Sequence, residues 1–302
     1  MISNIKSTFP LGVRYMMLSA LGFALMATCV KLVSADGIPV LEIVAARAIV
    51  SLLISYLDIK RKRISVWGNN QPLLVARGLV GALALGCVYF AVTTLPLAEA
   101  TILQYLHPVF TAILALLFLK ERIQQSTIIC ILFCIAGLAV MLKPDLIYGH
   151  APELPGLSVV AALIGAFGSA VAYVIVRRLS QSEDSSVIIF YFPMIALPIS
   201  VVLLGDSFVM PDSDALILLL LVGIFTQVGQ VGLTKAMQIE VASKATAYSY
   251  VQVLFSIILG WICFNEIPST WTWIGGSLIM VGALTNVYGS AKLKTSAPRD
   301  TA

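Results

Sequence analysis

Charge is what this 302-residue chain has least of: 11% of positions are Asp, Glu, Lys or Arg, against 59% that are hydrophobic. Soluble globular domains carry about 25% charged residues, so water is excluded as the main solvent and a bilayer takes its place. Histidine occurs only at His107 and His150, neither in an HExxH pattern, which argues against a membrane-embedded metalloenzyme. The five cysteines, Cys29, Cys87, Cys130, Cys134 and Cys263, fall in apolar stretches without the paired spacing of a zinc site. Cys130 and Cys134, at i and i+4, read as packing residues. No cofactor is expected. The net charge of +4 follows from how loops are charged and implies no nucleic-acid binding.

What the chain has in abundance is long apolar runs. A hydrocarbon core about 30 Å thick needs about 20 apolar residues per helix. Ten windows of that kind are predicted: Val13–Ala35, Val40–Leu57, Pro72–Leu95, Leu97–Leu119, Ser126–Leu142, Leu154–Leu179, Val187–Leu204, Ala215–Met237, Ala242–Phe264 and Thr270–Gly289. The first is too long for a secretory signal, lacks a small-residue cleavage site, and is expected to remain as a mature helix. Basic residues mark the cytoplasmic side of such proteins. With the N-terminus inside, 16 of the 19 Lys and Arg residues fall on inner segments, including the cluster Lys60–Arg63, while outer loops hold only Lys143 and gather acids such as Asp36, Asp206 and Asp212. Both termini are expected in the cytoplasm of a multi-pass plasma (cell inner) membrane protein.

An internal repeat organises the spans. Shifting the sequence by 145 residues aligns Cys87–Leu138 with Gly232–Ala283 without a gap, and Ala100, Thr101, Tyr105, Phe110, Glu121 and Gly137 fall on Ala245, Thr246, Tyr250, Phe255, Glu266 and Gly282. The halves are 13–143 and 154–289, joined by the loop Lys143–Pro155 and followed by the tail 290–302. Five spans per half is odd, so the second half enters the membrane from the opposite side. The expected fold is an all-α integral membrane protein with ten transmembrane helices as two inverted five-helix repeats. Inverted repeats give one chain two similar conformations, one open to each side, which points to secondary transport by alternating access. A channel or receptor of the same topology is the alternative, ahead of an enzyme.

The stretch Leu95–Ile123, LPLAEATILQYLHPVFTAILALLFLKERI, resembles the fourth helix of the EamA branch of the drug/metabolite transporter superfamily, with its Pro and terminal Glu-Arg. Its counterpart Ala236–Glu266, ending GWICFNE, resembles the ninth. VKL at Val30–Leu32, ARA at Ala46–Ala48 and RGL at Arg77–Leu79 sit where that family has similar segments. The resemblance covers nearly the whole chain. It implies a ten-helix fold around a central cavity that carries amino acids, nucleotide-like metabolites or other small organic molecules.

Polar residues inside the spans are the candidates for touching such a solute, because a polar group in hydrocarbon costs free energy unless it meets a partner or water. Thr101, Gln104, His107, Pro108 and Thr111 are spaced three and four apart, along one side of span four. Their mates by the 145-residue shift are Thr246, Ser249, Gln252, Val253 and Ser256, four of them polar. Either these faces line a midplane site or they hydrogen-bond helix to helix. Pro108 removes a backbone donor to Gln104 and is expected to bend span four as a hinge.

His107 is either a solute partner or a structural imidazole. Arg47, inside span two, costs several kcal/mol unless paired or hydrated; it addresses an anionic group on the solute or pairs with Glu42, five residues earlier. Lys31, near the end of span one, snorkels or gates, and its counterpart in the second half is Arg177 or Arg178. Tyr89, Tyr173, Gln227, Gln230 and Tyr248 add hydrogen-bonding groups, with packing as the competing account for the two glutamines. Glu121 and Glu266 read as helix caps rather than solute ligands. The expected partners are a small-molecule solute, amphoteric or anionic in view of Lys31, Arg47 and His107, and the lipid bilayer, with the chain acting as monomer or homodimer.

Overall fold

Apolar residues surround most of these segments rather than forming one stripe, the pattern of helices buried in a bundle or in lipid. A computed structural model describes residues 10–94, 103–141, 155–265 and 267–295, and the side chains of all of these except Tyr89, Val92, Thr93, Met141 and 288–295. Among the described residues helix is the regular secondary structure, joined by short turns and loops. α1 spans Leu11–Ala35, α2 Val40–Lys62, α3 Gln71–Thr94, α4 His107–Phe118 and α5 Gln125–Met141. α6 spans Gly156–Leu179, α7 Ser185–Leu204, α8 Ser213–Ile239, α9 Ala242–Ala247, α10 Val251–Phe264 and α11 Thr270–Thr295. A 3-10 turn, Tyr248–Tyr250, joins α9 to α10.

Seven of the described stretches, with Ala242–Phe264 taken as one, are long and apolar enough to cross a membrane. Shorter apolar helices occupy His107–Phe118 and Gln125–Val140. Leu53, Leu57, Leu83, Phe118, Leu132, Val202 and Ile262 are exposed on the outside of the bundle, an arrangement stable only where the surroundings are themselves apolar.

Helices start and stop where local chemistry allows. Asp184 and Asp212 cap α7 and α8, accepting from the backbone N–H of Ser186 and Ala215 at 2.8 Å each. α2 closes on Arg63 and α10 on Asn265, both in the left-handed region.

The helices pair in a pattern that survives exchange of the two halves. α1 packs on α8 as α6 packs on α3, and α1 on α10 as α6 on α4. α2 touches α8 as α7 touches α3, while α2·α7 and α5·α11 join counterparts and α4·α9 joins span four to span nine. The α5·α11 crossing shows the correspondence at atomic scale. A Cβ on Gly137 would lie 2.6 Å from the Gly275 carbonyl, and one on Gly282 would lie 3.0 Å from the Cys130 carbonyl. Each contact is the other displaced by 145 residues. Small residues let these backbones approach, and Thr127 Oγ1 donates to Asn286 Oδ1 at 3.1 Å in the same interface.

Carboxylates tie the helix ends together in the same two-ended manner. Buried Glu183, after α6, accepts from the backbone N–H of Asn69 and Asn70 at 2.7 Å each, holding the α2–α3 connection. Buried Glu42, at the start of α2, accepts from the N–H of Val209 at 3.0 Å in the α7–α8 connection. The expected pairing of Glu42 with Arg47 therefore does not form. Five residues along a helix put the two side chains on different faces, and the loop amide offers Glu42 a better-aimed donor.

Candidate functional site

The site grows from two interrupted helices. The chain is helical at Leu103 and Gln104, turns at Tyr105 and Leu106, and starts α4 at His107 with Pro108 in its first turn. Span four is thus not one continuous helix over its polar residues, and Pro108 opens a helix rather than bending one. A proline ring fits the first turn because its missing N–H has no intrahelical acceptor there. Thr111 donates back to the His107 carbonyl at 2.7 Å, which occupies its hydroxyl. Thr101 lies outside the described residues. In the second half the interruption falls at Tyr248–Tyr250, and hydroxyls again serve the backbone. Thr246 donates to the Ala242 carbonyl at 2.9 Å and Ser249 to that of Thr246 at 2.6 Å.

The two interruptions meet. Tyr105 and Tyr250, mates in the 145-residue shift, stack with ring centroids 5.7 Å apart, and the Tyr250 hydroxyl donates to the Tyr105 carbonyl at 2.9 Å. The turn at Tyr105 frees that carbonyl, and its counterpart in the other half satisfies it.

Beside this contact lies a cavity, about 330 Å³ when the space open to its surroundings is counted, lined by Met16, Ser19 and Phe23 of α1, His107, Tyr173 of α6, and Thr246, Ser249 and Gln252, with Ala20 and Leu233 completing the wall. The His107 ring meets Tyr173 edge-on at 5.2 Å, and its buried Nδ1 has no hydrogen-bond partner among the described residues. A buried polar atom left open toward a cavity is a place where a solute or water can bond. Both halves contribute walls: α1 and α6 are counterparts, as are His107 and Gln252.

A second, narrow chamber opens between α2, α7 and α8, lined by Arg47, Ala48, Ser51, Ile189, Phe192, Pro193, Thr226 and Gln230. Arg47 reaches the Met26 sulfur at 4.0 Å and the face of Phe192 at 5.7 Å.

The predicted residues therefore divide. His107, Tyr173 and Gln252 come together in the first cavity, Arg47 and Gln230 in the second. Gln227 is glue: it accepts from Ser51 at 2.5 Å and donates to Ser55 at 2.9 Å, locking α8 to α2. Tyr248 is fully buried in the turn, while Gln104 is half-buried just before the Tyr105 turn; neither lines either cavity. Lys31 lies at the end of α1 over the Phe264 ring at 4.3 Å, away from both cavities. The Tyr89 side chain lies outside the described residues.

Arg177, an expected counterpart of Lys31, lies at the end of α6. There it donates to Glu121 at 2.6 Å and to the Met237 carbonyl, while Glu121 also accepts from the N–H of Ala242 at 2.8 Å. Glu121 so binds the first amide of α9 in the other half rather than capping the helix that follows it in sequence; Glu266 lies outside the described residues.

Sequence reasoning missed two buried cations and several walls. Arg77 and Lys244 count toward the inner charge by position, yet they are 4% and 2% exposed. Lys244 pairs with Glu240 at 2.7 Å one turn earlier. Arg77 turns inward and places its guanidinium 5.0 Å from Phe192. Met16, Ser19, Ala20 and Phe23 recur at helical spacing on one face of α1, which was the available signal for that wall.

The same organisation appears in known proteins. The chain matches the EamA-like transporter family twice, over residues 10–143 and 156–288. It is 32% identical over 274 residues to the pseudopaline exporter CntI of Pseudomonas aeruginosa, covering 90% of this chain and 94% of that protein. Mouse solute carrier family 35 member G1 is 32% identical over 289 residues, covering 91% of this chain and 77% of that protein. The S-adenosylmethionine uptake transporter of Rickettsia prowazekii is 26% identical over 229 residues, 76% of each chain. A crystal structure 21% identical in sequence superposes with a TM-score of 0.76 over 92% of this chain and 99% of that one, so the fold is shared. The chain belongs to the EamA-like transporter family within the drug/metabolite transporters and is a multi-pass membrane protein.

Proposed function

We propose that the protein is a secondary transporter that moves a small organic metabolite, amino-acid-like or nucleoside-containing, by alternating access through the central cavity. The observation that carries this reading is the cavity's double origin. Its walls come from counterpart elements of the two halves, α1 with α6 and the interrupted span four with the interrupted span nine. A site on such a pseudo-symmetric seam can be uncovered to either side when the two halves exchange conformations. In this reading the repeats are 13–143 and 154–289, ten spans cross the membrane, both termini and the tail 290–302 face the cytoplasm, and one chain contains a whole site, as monomer or within a homodimer. His107, Tyr173 and Gln252 bind the solute, joined by Ser19, Thr246 and Ser249. Pro108 marks the point about which span four hinges.

Of the relatives named for their cargo, one is an exporter of pseudopaline and one an uptake transporter of S-adenosylmethionine. The fold therefore permits either direction, and the gradient sets it. The test is a metabolite panel in proteoliposomes, with counterflow measured with and without a pH gradient. Saturable flux that rises when the same solute is loaded on the far side is the expected result; linear flux without trans-stimulation would assign the chain to the channels instead.

A further inference from the structure

Several cations near the helix ends have a carboxylate, while half-buried Lys235 of α8 lies over the Tyr15 ring at 5.6 Å. Lys244 has Glu240, Arg177 has Glu121, and Lys62 has Asp58 and Asp184. Arg47 and Arg77, 8% and 4% exposed, form no ion pair among the described residues. The Arg77 Nε is buried without a hydrogen-bond partner among the described residues. Both guanidinium groups lie against the one Phe192 ring, at 5.7 and 5.0 Å from its centroid. An aromatic ring returns only part of the hydration two cations lose, and two like charges sharing a ring repel. Nearby, the buried Thr226 hydroxyl, which lines the chamber, also lacks a partner. α3 makes room for the arrangement: a Cβ on Gly81, one turn past Arg77, would lie 2.5 Å from the Arg77 guanidinium.

We infer that the chamber beside Phe192, flanked by Arg47 and Arg77, binds the carboxylate end of the transported solute. This rests on the reading of the chain as a metabolite transporter. A guanidinium is a planar fork of donors that matches a planar carboxylate, and it keeps its charge where a lysine would lose it. The chamber is a narrow slot rather than a pocket that encloses a whole ligand, so it takes one end of a solute, not a nucleoside. A singly charged carboxylate also sheds its water at lower cost than a phosphate dianion, and dehydration dominates in so enclosed a space. Thr226 and Gln230 supply neutral donors beside the two charges.

The test uses the full chain in detergent, with thermal unfolding read against succinate, its neutral diamide, inorganic phosphate and choline. Succinate is expected to raise the midpoint saturably, while the diamide and choline do not. Arg47→Gln and Arg77→Gln are each expected to raise the apparent Kd for succinate at least tenfold, with Arg77→Lys between Arg77→Gln and the native protein. Equal succinate responses in native and Gln proteins would overturn the site, as would stabilisation by phosphate alone or by neither anion. Should a Gln variant fail to fold, succinate must still protect Arg77 of the native protein from phenylglyoxal, read by peptide mass; absence of protection overturns the assignment. Flux through proteoliposomes separates the two readings. Arginine-dependent succinate binding without saturable flux of any solute keeps this site and removes the transport reading. Saturable flux of succinate unchanged in both Gln variants does the reverse.

Discussion

At Leu106 the first half breaks span four with Pro108 in the following turn, whereas the second half breaks span nine over Tyr248–Tyr250 with Val253 where the proline would stand. The interruptions fall at the same place in each repeat and touch through Tyr105 and Tyr250. What they share is not proline. It is a tyrosine at the break and polar residues on both sides of it, whose hydroxyls bond back to carbonyls three or four residues earlier. The comparison teaches that this depth of the membrane is built for an opened backbone, and that proline is one of two routes to it.

The largest expected effect concerns what holds the broken spans in place. Glu121 ties the end of α4 to Arg177 of α6 and to the first turn of α9, so it joins both interrupted spans. Glu121→Ala leaves a mostly buried guanidinium unpaired and an amide uncapped, a loss of about 3 kcal/mol in unfolding free energy. Glu121→Gln, which keeps the shape and one acceptor, is expected to recover part of it. Denaturant unfolding in detergent measures both. An Ala variant as stable as the native protein would mean that the two spans are held elsewhere.

Next comes the crossing of α5 and α11, where the halves are most alike and their small difference has a direction. A side chain at Gly137 meets a backbone carbonyl at 2.6 Å and one at Gly282 meets a carbonyl at 3.0 Å. Overpacking costs about 1–3 kcal/mol, so Gly137→Val is placed near the top of that range and Gly282→Val near the bottom. Equal losses would show that the crossing is more symmetric than the backbone distances imply.

The tyrosine pair is expected to be unequal as well. Tyr250 donates to the Tyr105 carbonyl at 2.9 Å, and no matching bond from the Tyr105 hydroxyl occurs among the described residues. Tyr250→Phe should therefore cost about 1 kcal/mol and Tyr105→Phe only a fraction of that, since both keep the stacked rings. The same unfolding assay decides the order, and a larger loss at Tyr105 would contradict it.

Span positions were legible in the sequence because length and apolarity are enough to identify them: of the ten windows, eight have a described helix whose ends agree within about five residues. The 145-residue shift named the Tyr105 and Tyr250 pair before any contact was seen. Facing was not legible. A helix that is apolar all round gives no stripe to say which side meets lipid, so Arg77, six residues into α3, read as an inner-end charge although it points into the bundle. Gly78 and Gly81 around it were the clue, since small residues mark the face that a neighbour approaches. Gln227 carried the opposite ambiguity, and only the serines of α2, 176 and 172 residues away, show it to be a structural bond.

The smallest effect bears on the origin of the two interruptions. Pro108 occupies the first turn of α4, where a helix has no use for the missing N–H, so Pro108→Ala removes little and returns a donor that could pair with the Gln104 carbonyl. Span nine opens without a proline, so the break in span four is expected to persist in Pro108→Ala, with stability changed by less than about 1 kcal/mol. The reciprocal change is equally mild. Val253 stands in the first turn of α10, and Val253→Pro is expected to cost less than about 1 kcal/mol, against about 3 kcal/mol for Ile258→Pro in the interior of the same helix. Spin labels on Leu103 and Ile113 report the geometry directly: an unchanged distance in Pro108→Ala attributes the break to the tyrosine and its hydroxyl-bearing neighbours. A distance shifted to that of a continuous helix would make proline its cause in the first half, and the two interruptions would then be alike in place but not in origin.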